Sequence, residues 1–353
     1  MTFTTSLADV RELARADDDG KRDQIVRARQ ITMHHGRLWL PDSQSDGFDG
    51  GLAMSEWATA QACQKLGIPG GYFKKCPSFL KDAQWNHWVA QEENQRSLTM
   101  GDNEASVDWM LRTKGSLVRG VLSPKYAKLD NSQVLDTLLP MVGNSRFKVG
   151  LVELNPESFH LRLIDPTIWR DVIPGDRLLV GIHLCNSEVG LRAVTVDAVV
   201  WRQVCSNGLV RKISGKSLMR QRHIHVAEAR LESLLADALS QAIAVAAAFI
   251  EQMVLSVRVP VPDPERAIAY LGQLWGLSKQ TQEYIKFGLY GERHSETLYG
   301  LVNAVTNAAQ RLSVEGRYEL EGLASVLIDT TTASPTEQAL RQRILTPKAL
   351  AAA

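Results

Sequence analysis

The sequence predicts an α+β protein with a mixed N-terminal part, a central antiparallel sheet carrying a long β-hairpin, and a helical C-terminal part. Three observations predict it. Residues 151–213 hold alternating and β-branched runs closed by turn residues. From Val226 onward the apolar residues recur with the 3.6-residue helical period. Over 353 residues, 44% hydrophobic and 22% charged positions are the balance of a chain that buries a sizeable core, which excludes disorder and a disulfide-stapled mini-domain. The texture divides the chain at 1–150, 151–225 and 226–330, with a flexible tail at 331–353.

Within the first region, Ala8–Gln30 reads as charged helix and Asp17-Asp18-Asp19 as a solvated loop. His35–Leu40 reads as a strand and Pro41–Gly51 as a loop. Ser55–Leu66 reads as an amphipathic helix with Trp57, Ala58, Cys63 and Leu66 inward, stopped by Gly67–Gly71. Pro77–Gln91 is a second helix bearing Phe79, Leu80, Trp85 and Trp88. In the β region Phe159–Ile164 alternates and Pro174-Gly175-Asp176 turns. Arg177–Leu184, the loop Asn186–Gly190 and the arm Leu191–Val204 then form the hairpin. Those 14 residues of the second arm would reach roughly 45 Å if fully extended. Val226–Val257 follows as a helix ended by Pro260 and Pro262; Asp263-Pro264-Glu265 starts another, and one long helix is expected over Glu296–Ile328.

Several function classes lack support. Four cysteines (Cys63, Cys76, Cys185, Cys205) make no secreted framework, and the opening residues carry acids with no apolar core of a leader. The longest apolar run, Ala242–Ile250, is about half of what a bilayer span needs. No membrane partner and a cytoplasmic location are therefore expected. Gly215-Lys216-Ser217 looks like the end of a phosphate loop, but Val210 stands where the first glycine belongs. GxGxxG, GxSxG and HExxH are absent from the sequence.

His183 and Cys185 would share one strand face, with Cys205, His223 and His225 following. These are zinc-ligand types without a standard spacing, and small buried cysteines in a sheet explain them as well. Asp165, Asp171, Asp176, Glu188 and Asp197 are scattered, unlike the clustered carboxylates of a metal-dependent nuclease. No cofactor, no metal and no catalytic residue is assigned.

Charge is segregated locally in a chain whose net charge is only +1. Between Trp109 and Leu129 lie Arg112, Lys114, Arg119, Lys125 and Lys128 with Tyr126 among them and no acid. From Arg202 to His225 lie Arg202, Arg211, Lys212, Lys216, Arg220 and Arg222, again without Asp or Glu, beside His223. Lys and Arg suit phosphate contacts, and an aromatic face can stack on an unpaired base. The plainer reading is that both windows are faces paired with acids from elsewhere in the fold.

The run Arg119-Gly120-Val121-Leu122-Ser123-Pro124-Lys125-Tyr126 with Leu129-Asp130-Asn131 carries a resemblance. So do Asn186-Ser187-Glu188-Val189-Gly190, Arg202-x-x-Cys205-Ser206-Asn207-Gly208-Leu209, Arg222-His223 and Leu301–Thr306, in that order. Together they resemble the phage/plasmid-like family known as the domain of unknown function nine-three-two, over roughly residues 50–330. The resemblance implies a mobile-element context beside recombination and replication genes. In coarse outline a long hairpin followed by long helices is also similar to Rad-fifty-two-type single-strand annealing proteins. The expected function is sequence-tolerant binding, with annealing, of single-stranded DNA by a non-enzymatic homo-oligomer that works with recombination proteins. Arg112, Lys114, Arg119, Lys125, Arg202, Arg211, Lys212, Lys216, Arg220 and Arg222 are the expected phosphate contacts, and Tyr126 and His223 the base contacts. The alternatives are a metal-dependent nucleic-acid-processing enzyme and a partner-docking module. Turn geometry explains Asn186–Gly190 and Cys205–Leu209 without a functional role.

Overall fold

The computed structural model describes residues 5–41, 50–100, 108–142, 147–203, 207–211, 217–224, 228–329 and 335–345. Leu7–Asp18 (α1) is capped by a reciprocal Ser6–Asp9 pair and stops before Gly20, which sits at φ +75°. The helix expected to continue to Gln30 gives way to strand Lys21–Arg27 (β1), because Gly20 turns the chain and β1 finds a ladder on Asp108–Lys114 (β5). Asp17 and Asp18 are likewise not a solvated loop; they end α1 and bind the Lys21 ammonium, Asp17 also that of Lys114.

Thr32–His34 (β2) and Arg37–Trp39 (β3) form a hairpin, and Ala53–Met54 (β4) pairs in parallel with Leu117–Leu122 (β6). The first sheet runs β1-β5-β6-β4. On it lies Glu56–Leu66 (α2), with Ser55 as N-cap and Gly67 left-handed at its end. Gly70–Lys75 (α3) and Ser78–Met100 (α4) follow, so the glycines expected to stop α2 also start a short helix. Trp85 is buried edge-on against Trp109, whereas Phe79 and Trp88 are exposed.

The central sheet explains the β-branched sequence. After Asn131–Val142 (α5), Lys148–Leu154 (β7), Phe159–Ile173 (β8), Asp176–Asn186 (β9) and Val194–Arg202 (β10) form an antiparallel meander. Asn207–Arg211 (β11) and Met219–Gln221 (β12) both pair with the outer edge of β10. The expected hairpin is there, but β10 has 9 residues, not the 14 expected, because the Asn186–Gly190 loop extends through Ala193 and the strand ends at Arg202, before the turn residue Gln203.

All nine residues of β10 are buried. Val194, Val196, Ala198 and Val200 face Glu228–Ser256 (α6) through Leu231, Leu235, Ala238 and Ala242. Val199 and Trp201 face Tyr318 of Val314–Ile328 (α10) on the other side. A strand covered on both faces needs no polar alternation, which is why six of these nine residues are apolar, while buried Asp197 and Arg202 are bonded to Tyr318 and Asp176. By length and composition Ala229–Ser256 would also suit a membrane span, yet its stripe lies on the sheet.

Pro264–Trp275 (α7) has the expected Asp263 cap and Pro at its first turn, and Lys279–Tyr290 (α8), capped by Ser278, follows it. The single helix expected over Glu296–Ile328 is two, Leu298–Ala309 (α9) and α10, because Ser313 caps a fresh helix after a break at Gln310. Part of the expected loose tail forms Pro335–Leu345 (α11), with Ile344 buried.

Candidate nucleic-acid interface

The two basic windows, about 95 residues apart in the chain, meet in space. Tyr126 bridges Ile224 in antiparallel fashion, and the Ala127 N–H donates to the His223 carbonyl (2.8 Å). Tyr126 and His223 stack with centroids 4.9 Å apart and planes 7° from parallel. The Tyr126 hydroxyl donates to the Ser187 carbonyl at 2.9 Å, which fixes the ring. The stack borders an open pocket of about 280 Å³, walled by Leu191, Ala193 and Ile224 and edged by Arg192, Arg220 and Arg222. Arg220 points outward from edge strand β12, whose neighbours Met219 and Gln221 are buried, and Arg222 is exposed beyond it.

The loop that closes this pocket is more than a turn. Gly190 is left-handed (φ +79°), as expected for its turn. The Asn186 amide donates to the Leu129 carbonyl and Asn131 Oδ1 (3.1 and 2.8 Å). The Val189 carbonyl accepts from the Trp57 indole and the Gln61 amide (2.9 and 2.8 Å). Buried Glu188 accepts from Lys21 (2.8 Å), Arg119 (2.9 Å) and the Asn131 N–H at the start of α5 (2.9 Å). Burial raises its carboxyl, but Lys21, the Asn131 N–H and Arg119 outweigh that and hold it below the usual carboxylate range.

This network corrects part of the expected contact set. Arg112 is buried and bonds Asp23 (2.7 Å), Asp130 (2.5 Å) and the Glu188 carbonyl (2.8 Å). Arg119 is buried on Glu188 and the Pro156 carbonyl. Arg202 is buried between Asp176 (2.7 Å) and Glu292 (2.6 Å). The strands bearing these three guanidiniums turn them inward onto acids from distant segments, so in this fold none of them faces a phosphate. Lys114 is half-exposed and paired with Asp17. Lys125, Arg220 and Arg222 are exposed, and Tyr126 and His223 flank the pocket. Lys212 and Lys216 lie outside the described residues, as does the side chain of Arg211.

The zinc-type residues separate. His183 and Cys185 do line one face of β9, where they meet His160 of β8: His160 Nδ1 to His183 Nε2 is 3.1 Å, and Cys185 Sγ to His160 Nε2 is 3.7 Å. The same His160 Nε2 bonds half-buried Glu315 (3.1 Å), so the set is a hydrogen-bonded row and not a shared ligand cluster. Burial raises Glu315, but His160 and Arg192 hold it down at about 2. His223 lies apart on Tyr126, and Cys205 and His225 fall outside the described residues. Among the described residues the acidic group Asp17, Asp18 and Glu188 has the spacing to hold a cation, and the Lys21 ammonium occupies it.

His223 is 4% exposed, and neither ring nitrogen makes a well-formed hydrogen bond among the described residues, although the Ala127 carbonyl lies near the ring. Burial, with Arg112 nearby, pushes its pKa down to about 4 from 6.5 against the favourable Ala127 carbonyl, so the ring is neutral at neutral pH. Because the folded value is depressed, the unfolded chain takes up this proton first as the medium acidifies. Stability is therefore expected to fall by up to about 3 kcal/mol between pH 6.5 and 4 and then level off with respect to this group. Urea midpoints at pH 7.5, 6 and 5 should show that His223→Phe loses part of this slope; an identical slope in the variant would refute the assignment.

No curated protein and no solved structure matches the chain. A family model, described as a domain of unknown function, matches residues 118–337, from β6 through the start of α11. All five segments that carry the resemblance in sequence lie within the matched residues, and the Arg119–Tyr126, Asn186–Gly190 and Arg222-His223 runs converge on this pocket. With well over half of its residues matched, the chain belongs to the DUF932 family.

Proposed function

We propose that this protein binds single-stranded DNA without strong sequence preference, as an oligomeric, non-enzymatic component of a recombination or replication system of a mobile element. The observation that carries the reading is the Tyr126–His223 stack at an open pocket edged by exposed Arg220 and Arg222, with Lys125 in the adjoining segment. Exposed guanidiniums supply sequence-independent phosphate attraction, and a pocket with apolar walls suits a base freed from its stack. The antiparallel meander followed by a long helix laid across it is the coarse outline of Rad-fifty-two-type annealing proteins, which supports annealing as the working form. A cytoplasmic site of action and recombination proteins as partners go with that reading.

Fluorescence anisotropy with a labelled 30-nucleotide strand and its duplex tests it. Tight binding to the strand, weaker binding to the duplex and a steep loss of affinity with salt are expected. Lys125→Glu, Arg220→Glu and Arg222→Glu together should weaken strand binding at least about tenfold and flatten the log–log salt slope by about two to three. No binding at low salt, or a triple variant that binds as the native chain does, would overturn the proposal.

A further inference from the structure

We propose that the pocket beside the Tyr126–His223 stack receives one unstacked base of the bound strand, its edge hydrogen-bonding to His223 while Arg220 and Arg222 hold the adjoining phosphates. The inference rests on the strand-binding reading and specifies what it does at one nucleotide.

His223 carries the argument. Its backbone is fixed by the Ala127 N–H and its ring by the stack on Tyr126, which is itself tied to Ser187. A ring so placed, almost wholly buried and bordering a cavity, makes no well-formed hydrogen bond at either nitrogen among the described residues, the Ala127 carbonyl standing near enough only to favour a proton on the ring. Buried polar groups in folded proteins are nearly always hydrogen-bonded, and an idle one held rigid at a cavity suits a ligand that supplies the missing bond.

The character of the ring selects the ligand. Held neutral by burial and by Arg112, the imidazole offers one donor and one acceptor and no charge. That suits the donor–acceptor edge of a base and not a phosphate. Arg192, although it edges the pocket, is bound to Glu315 and Glu319, which leaves Arg220 and Arg222 as the exposed cations at the rim. Leu191, Ala193 and Ile224 provide apolar walls. A volume of about 280 Å³ lies at the lower end of small-ligand pockets, in keeping with a single base and not a pair. Bases in a duplex keep their edges paired and stacked, so the pocket also gives the protein a reason to prefer single strands.

The test compares a labelled 20-nucleotide mixed-sequence strand with the same strand made abasic throughout, which keeps every phosphate. The native protein is expected to bind the abasic strand at least about tenfold more weakly. His223→Phe keeps a stacking ring but no nitrogen, and should bind both strands with nearly equal affinity. Arg220→Glu with Arg222→Glu should weaken both alike and keep their ratio. If the native protein binds both strands equally, or if His223→Phe keeps the full discrimination, the pocket does not take a base and the inference falls while strand binding stands. If neither strand binds, the strand-binding reading itself falls and this inference with it.

Discussion

Replacing Glu188 by alanine is expected to lower the unfolding free energy by about 3–5 kcal/mol, a third or more of the stability of a typical domain. The side chain is 1% exposed and accepts from Lys21, Arg119 and the Asn131 N–H at once. Its removal leaves the Lys21 ammonium and the Arg119 guanidinium without their shared carboxylate, and an N–H at the head of α5 unpaired. Lys21 keeps Asp17 and Asp18, and Arg119 keeps the Pro156 carbonyl, so the loss is large without being the sum of the separate bonds. Glu188→Gln should cost less, because the amide oxygen still accepts from one donor. The consequence reaches the pocket, since the same loop presents the Ser187 carbonyl to Tyr126 and places Gly190 at the rim. Strand affinity should therefore fall together with stability. Urea denaturation read by tryptophan fluorescence measures the first effect and anisotropy the second. A shift in midpoint worth less than about 1 kcal/mol would mean that Glu188 is not the centre of this network.

Patterning made the scaffold readable where the cause is local. Asp263-Pro264-Glu265 starts α7, Gly175 makes the turn between β8 and β9, and the β-branched arm is a doubly covered strand, because cap, turn and periodicity each act within a few residues. The failures have a common source in distant partners. Lys21–Arg27 carries charges that suit a helix surface, and becomes a strand through a ladder on a segment almost ninety residues away. The site divides in the same way. Tyr126 and His223 stand out in sequence as the ring-bearing members of two acid-free basic windows, but nothing local says that they stack. Arg112 and Arg119 look like their neighbour Lys125 in composition. What distinguishes them is their place on the buried strands β5 and β6, opposite Asp23, Asp130 and Glu188. An acid-free window in sequence is therefore no measure of an acid-free surface. Among the described residues of the two windows, exposed Lys125, Arg220 and Arg222 remain available to a phosphate.

The pair Arg162–Glu321 should separate a structural ion pair from a stabilising one. Glu321 of α10 is 0% exposed, accepts from Arg162 Nη2 at 2.5 Å and Nη1 at 3.2 Å, and takes a further bond from Gln310 at 3.1 Å. Arg162→Met alone is expected to cost about 3–5 kcal/mol at pH 8, since it leaves a core carboxylate bonded only by the Gln310 amide, with Arg317 acting on it through space. Burial already pushes Glu321 up despite Arg162, and without the guanidinium it rises further. A carboxyl raised in the folded state favours folding below its unfolded value and opposes it as pH climbs through the folded one. The deficit of Arg162→Met should therefore shrink as pH falls from 8 toward 5. Joining Arg162→Met to Glu321→Leu removes both charges and restores apolar volume beside Trp201, which lies 6.0 Å from the guanidinium carbon. The double variant is expected within about 1 kcal/mol of the native chain, or above it, with the pH dependence gone. Denaturant midpoints for the two singles and the double at pH 5 and 8 decide the matter. If the double is as unstable as Arg162→Met, the loss comes from packing of the long arginine side chain and not from a carboxylate left alone in the core.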